Sequence, residues 1–170
     1  MSIIKGHHNK LIISITDGKK LGEVKDLYLD EGMNKMVAVF LGKEGLISRK
    51  SLVIEPVFIK VYGIDAWLVS GSYKVTDVAE ITGADKFLLA SDFQGREIQS
   101  EGGTKIGTVE DVVLDAEANV LGFTLGKVYV QGPIAERKAI ARAAITSFGS
   151  KNSPMTTLLE KAEALELPNG

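Results

Sequence analysis

Gly18-Lys19-Lys20-Leu21-Gly22-Glu23-Val24-Lys25-Asp26-Leu27-Tyr28-Leu29-Asp30 returns later in the chain as Gly103-Thr104-Lys105-Ile106-Gly107-Thr108-Val109-Glu110-Asp111-Val112-Val113-Leu114-Asp115, at a constant offset of 85 residues. Both copies run on into a short polar loop, residues 31–35 and 116–119, and then into a second apolar run that ends before Gly42 or Gly126. Further matches follow in the same order. Arg49-Lys50 finds Arg137-Lys138, and Ile59-Lys60-Val61-Tyr62-Gly63 finds Ile145-Thr146-Ser147-Phe148-Gly149. Ordered self-similarity of this kind marks a duplicated structural unit.

Each copy has a local rationale. Gly18 and Gly22, like Gly103 and Gly107, bracket a turn, and the β-branched and aliphatic run after it has the composition of a strand. A polar loop between two apolar runs predicts a hairpin. Short apolar runs at 11–15 and 97–99 precede the motifs, so each repeat offers four or five short strands within about 60 residues, the pattern of a small barrel or sandwich. Closure would remove exposed sheet edges. Residues 76–81 before Gly83 predict a short helix capped by Thr76 and stopped by glycine. At the C-terminus Ser153 and Pro154 predict a helix start, and Leu158, Leu159, Ala162 and Leu165 an apolar stripe. That stripe requires cover from the chain's own sheet or a second copy. The expected division is a first module over 1–75, a linker with a short helix over 76–90, a second module over 91–152, and a C-terminal amphipathic helix and tail over 153–170.

Composition places the 170-residue chain among ordinary globular proteins, with 45% apolar and 25% charged residues. Twenty basic against twenty-two acidic residues leave a net charge of −2, so bulk attraction to phosphate backbones is not expected. The absence of cysteine excludes disulfides, thiol nucleophiles and zinc–thiolate sites. No apolar run is long enough for a membrane span, and residues 1–8 lack the apolar stretch of a signal peptide. The expected location is the cytoplasm.

The string G-x-x-[LI]-G-x-V-x-D-[LV]-x-[LI]-D, with an apolar strand after it and [IV]-x-x-[YF]-G further on, resembles the PRC-barrel family, and here it occurs twice. The family includes the cytoplasmic domain of the photosynthetic reaction centre H subunit, the C-terminal domain of a ribosome maturation factor, and small stand-alone prokaryotic proteins. The resemblance spans residues 10–70 and 95–150. It implies a mainly β fold of two tandem six-stranded barrels, each working as a protein-docking module. Gly63-Ile64-Asp65-Ala66-Trp67-Leu68-Val69 resembles the family's closing strand. After Gly149 the chain runs instead through Ser150-Lys151-Asn152-Ser153-Pro154, so the second module is expected to lack that strand.

Catalysis finds little support. Asp26 and Asp30 are four residues apart, about 13 Å along a strand, wider than carboxylate pairs in glycoside hydrolysis. Asp26 and Asp111 are expected to satisfy turn or bulge backbone groups, and Asp30 and Asp115 to open the hairpin loops. His7 and His8 are expected to be exposed polar residues near the terminus. No phosphate-binding or dinucleotide motif is present, so no nucleotide, cofactor or metal is expected. Arg49, Lys50, Arg137 and Lys138 are candidates for a partner or RNA-facing surface, without interleaved aromatic residues to stack on bases. Leu158, Leu159 and Leu165 are the apolar candidates for the same role. The expected function is a non-catalytic adaptor that binds a protein partner or itself, with an accessory role in RNA processing or ribosome assembly as the alternative.

Overall fold

The computed structural model describes residues 3–4, 6–46 and 49–167. The described residues divide into two compact units, one within residues 6–89 and the other formed by residues 3–4 together with 90–167. Strand β1 (Ile3–Ile4) belongs to the latter.

In the first unit, β2 (Leu11–Ser14) and β3 (Lys20–Glu23) form a hairpin around the Gly18 turn, followed by β4 (Asp26–Leu29), β5 (Met36–Glu44), β6 (Lys50–Ile54), β7 (Ile59–Tyr62), β8 (Ala66–Val69), β9 (Thr76–Asp77) and β10 (Leu88–Leu89). They build a four-stranded sheet in the order β3-β2-β8-β7 and a five-stranded sheet in the order β10-β4-β5-β6-β9. The alternating burial of β2, with Ile12 and Ser14 inside, has the period of a sheet with one covered face. Val24, at the corner between β3 and β4, is fully buried, as are Leu27, Leu29, Val39, Val53 and Ile54; Trp67 is 1% exposed. Each such aliphatic side chain contributes about 1.5–3 kcal/mol by leaving water.

The second unit holds β11 (Glu97–Ser100), β12 (Lys105–Asp115), β13 (Val120–Val128), the short helix α1 (Pro133–Arg137), β14 (Ala139–Ala141), β15 (Ile145–Ser147), β16 (Met155–Thr157) and helix α2 (Leu159–Ala164). Its sheet runs β14-β13-β12-β11-β16-β15, with β1 paired to β12 as well. At the motif positions the register matches that of the first unit. Ile12 faces Gly22 and Ile98 faces Gly107; Asp26 faces Phe40 and Asp111 faces Thr124; Leu29 faces Met36 and Leu114 faces Val120. The bulges fall at the same steps, Ile12/Ile13 with Ile98/Gln99 and Tyr28/Leu29 with Val113/Leu114. Both units tie the segment before the first hairpin strand to the motif: the Val24 amide donates to the Lys10 carbonyl, and the Val109 amide to the Arg96 carbonyl, at 2.8 and 2.9 Å.

Several sequence expectations change here. The closing strand of the second unit is present: β16 runs parallel to β11, placing Met155 opposite Ile98 as Trp67 lies opposite Ile12. Ser153 and Pro154 therefore lead into a strand, and the helix begins only at Leu159. Residues 76–81 do not form one helix capped by Thr76. Thr76 and Asp77 pair with β6, and Asp77 caps a 3-10 turn by accepting the Ala79 amide at 3.1 Å. Of the expected linker over 76–90, residues 76–89 group with the first unit and Ala90 with the second. Nor, among the described residues, do the hydrogen-bonded ladders close into rings. In the first unit the chain turns at Val24–Lys25 from one sheet to the other, and after β6 the Pro56–Phe58 turn, whose proline has no amide to donate, leads into β7. β7 and β15 are left at the ends of their sheets.

Candidate functional site

The motif aspartates are committed to the backbone. Asp30 accepts the Asn34 amide at 2.6 Å, the Lys35 amide at 2.9 Å and the Asn34 side-chain amide at 3.2 Å. Asp115 accepts the Asn119 amide at 2.8 Å, the Glu117 amide at 3.0 Å and the Asn119 side-chain amide at 3.0 Å. Asp26 and Asp111 each accept the amide of the next residue, Leu27 or Val112, at 2.8 Å. A carboxylate that gathers several amides holds a hairpin loop in register. The glycines of the motif act locally too: Gly18 and Gly103 take φ of 69° and 88° in their turns, and a Cβ at Gly107 would run into the Lys127 carbonyl. Gly22 takes φ of 153°.

The basic clusters are not equivalent in space. Val53 and Ala139 hold the same place in the ladder, facing Phe40 and Thr124, so Arg49-Lys50 and Arg137-Lys138 lie at different positions of the repeat. Arg49 and Lys50 are exposed, with Lys50 opposite Glu44. Arg137 ends α1, and its guanidinium donates to the carbonyls of Pro133, Glu163 and Leu165, pinning the end of α2. Lys138 is exposed and closes α1 in a left-handed conformation. In the C-terminal stripe Ala162 is fully buried, Leu159 half-buried, and Leu158 and Leu165 remain 38% and 37% exposed. His7 is buried, contrary to expectation, and His8 is exposed with its ring beside the Lys25 carbonyl at 3.1 Å.

One stretch stands out as exposed and apolar. In the first unit Val57 is 68% exposed, Val61 47% and Ile64 86%, all within residues 57–64 on or beside β7, which among the described residues pairs only with β8. The equivalent stretch of the second unit, around β15, carries Ala143, Ser147 and Ser150. The repeats have therefore kept the framework while differing in the chemistry of this edge. Behind it Tyr62 packs edge-to-face on Trp67, ring centres 4.9 Å apart, and burial pushes its hydroxyl up to about 12. Trp67 and Phe123 are core residues, and Phe148 is half-buried against Phe123. Val57, Val61 and Ile64 sit in a run that otherwise matches its repeat, and their signal in the sequence is the change to Ala143, Ser147 and Ser150.

A surface hollow of about 400 Å³ in the second unit is lined by Asp92, Gln94, Arg96, Glu97 and Lys151 among others. Arg96 donates to the Phe148 carbonyl at 2.8 Å and the Asp92 carbonyl at 3.2 Å and lies over the Phe93 ring, so its role there is structural. Among the described residues no group of three or more His, Asp or Glu side chains is placed to hold a metal ion, and no helix is long and apolar enough to cross a membrane.

The model of the PRC-barrel domain matches the chain twice, over residues 9–68 and 85–140. The chain belongs to the PRC-barrel family. The two matches coincide with the two copies of the Gly-Asp motif. The second ends at Ile140, before β15 and β16. A comparison with curated proteins finds no match.

Proposed function

We propose that this PRC-barrel protein is a non-catalytic, cytoplasmic adaptor that docks a protein partner on the β7 edge of its first unit. The observation that carries this is the exposed row Val57, Val61 and Ile64 beside a strand paired on one side only. Such an edge offers unpaired backbone groups for an added strand, and aliphatic side chains that favour an apolar strand of the partner over a charged one. Lys60 stands exposed among them, which directs the partner's acidic residues to that position. The second unit, with alanine and serine at the corresponding places, serves as scaffold. Family membership supports an interaction role, and the local hydrogen bonds of the motif aspartates support a structural rather than a catalytic use of those four residues.

The test compares retention of proteins from a prokaryotic lysate by the intact chain, by Val61→Asp/Ile64→Asp, and by Ser147→Asp/Ser150→Asp as a matched control. A retained protein lost at least tenfold with the first pair alone supports the docking edge, about 1.4 kcal/mol or more in binding. Retention lost equally with both pairs, or with neither, contradicts it. So does sedimentation showing that the same edge instead joins two copies of the chain.

A further inference from the structure

In both repeats the strand that ends the Gly-Asp motif is paired, on the side away from its hairpin partner, with a two-residue strand that leads a repeat. In each case that leading strand comes from the other repeat. Ile3–Ile4 precedes the first repeat in sequence, yet it lies antiparallel to β12 of the second, with Ile4 opposite Leu114. Leu88–Leu89 precedes the second repeat, yet it lies antiparallel to β4 of the first, with Leu88 opposite Leu29. Leu29 and Leu114 are the same position of the repeat, facing Met36 and Val120 in the two hairpins. Both are fully buried.

The side of β4 and β12 turned away from the hairpin would otherwise be an open edge with unpaired amides and carbonyls. A short aliphatic strand covers it in both units, in the same direction and opposite the same leucine. The chain reaches this arrangement by crossing twice from one unit's segment to the other's, between Ile4 and Gly6 and between Leu89 and Ala90. We infer that the leading strand is an exchanged element: each repeat has an acceptor edge for an aliphatic leading strand, and its occupant is the leading strand of the other repeat. The duplication then joins in one chain two modules that complete each other by mutual strand exchange, the covalent counterpart of a swapped pair. Each repeat by itself lacks the strand that seals its motif edge.

The chain has no cysteine, so engineered pairs report on this without background. Directly opposed strand positions bring Cβ atoms to about 4.5–5.5 Å, near disulfide range. Mild oxidation is expected to close an intramolecular bond in Ile4→Cys/Leu114→Cys and in Leu88→Cys/Leu29→Cys, and not in the uncrossed Ile4→Cys/Leu29→Cys. Closure of the uncrossed pair, or bonds formed only between copies, overturns the inference. Because Leu29 and Leu114 are buried, a second measurement leaves them intact. Ile4→Pro is expected to speed amide exchange about tenfold in the peptide over 112–115 and leave 27–30 unchanged, and Leu89→Pro to do the reverse. A proline that loosens its own repeat, or changes neither peptide, also overturns it.

Discussion

Met33 and Ala118 occupy corresponding places in the two hairpin loops, both left-handed, with φ of 56° and 66°. Both are shut away from solvent, at 0% and 2% exposed. A non-glycine residue in that conformation costs about 1–2 kcal/mol, a cost that glycine avoids. Ala118→Gly gives up one small methyl and relieves the backbone, so it is expected to be neutral or to stabilise by up to about 1 kcal/mol. Met33→Gly removes a whole buried side chain and is expected to destabilise by about 2 kcal/mol in denaturant unfolding. Tyr62 gives a pH signature. Burial favours its neutral form, so its folded value, about 12, lies above the ordinary 10. The associated stability is intact below pH 10 and is lost as pH rises toward 12. Trp67 fluorescence followed with phenolate absorbance is expected to show this alkaline transition, and Tyr62→Phe to remove its tyrosine-dependent part. At this scale the aspartates were legible, because a carboxylate at the mouth of a loop bonds to nearby amides within a few residues. The burial of His7 and Met33 was not, since polar or loop-like surroundings in sequence do not reveal what folds over them.

Arg137 shows how an element can depend on a side chain that looks like part of a charged patch. Its planar fork reaches carbonyls at the end of α2 and within α1, a geometry that the single ammonium of lysine does not reproduce. Arg137→Lys is expected to destabilise by about 1 kcal/mol and to fray residues 159–165 in hydrogen exchange, whereas Lys138→Ala changes stability by less than about 0.5 kcal/mol. Hairpins β2–β3, β4–β5 and the matching parts of β11–β13 were readable from the motif, because their pairing is local and their turns carry glycine and aspartate. Strand β16 was not. Ser153-Pro154 has the local form of a helix start, and Met155–Thr157 becomes a strand only through β11, more than fifty residues earlier in the chain, and through β15. Long-range pairing overrode local preference. Barrel closure failed as an expectation for a related reason, since periodicity counts strands and says nothing of which ladder ends meet.

At the scale of the whole molecule, duplication has produced two units of one register with unequal surfaces. The buried leucines, valines and bulges match across the repeats, while the edge at 57–64 is aliphatic and its counterpart at 143–150 is small and polar. On the proposed reading, matching motif registers with one apolar edge divide scaffold from docking surface within a single chain. That asymmetry lay in the sequence as a handful of mismatches, and it became meaningful only once β7 proved to be an edge strand and the side chains proved exposed. The most direct test is a hydrogen-exchange footprint of the chain with and without a retained protein partner. The docking account predicts added protection over residues 57–64 and none over 143–150; protection confined to 143–150, or shared equally by the two stretches, would contradict it.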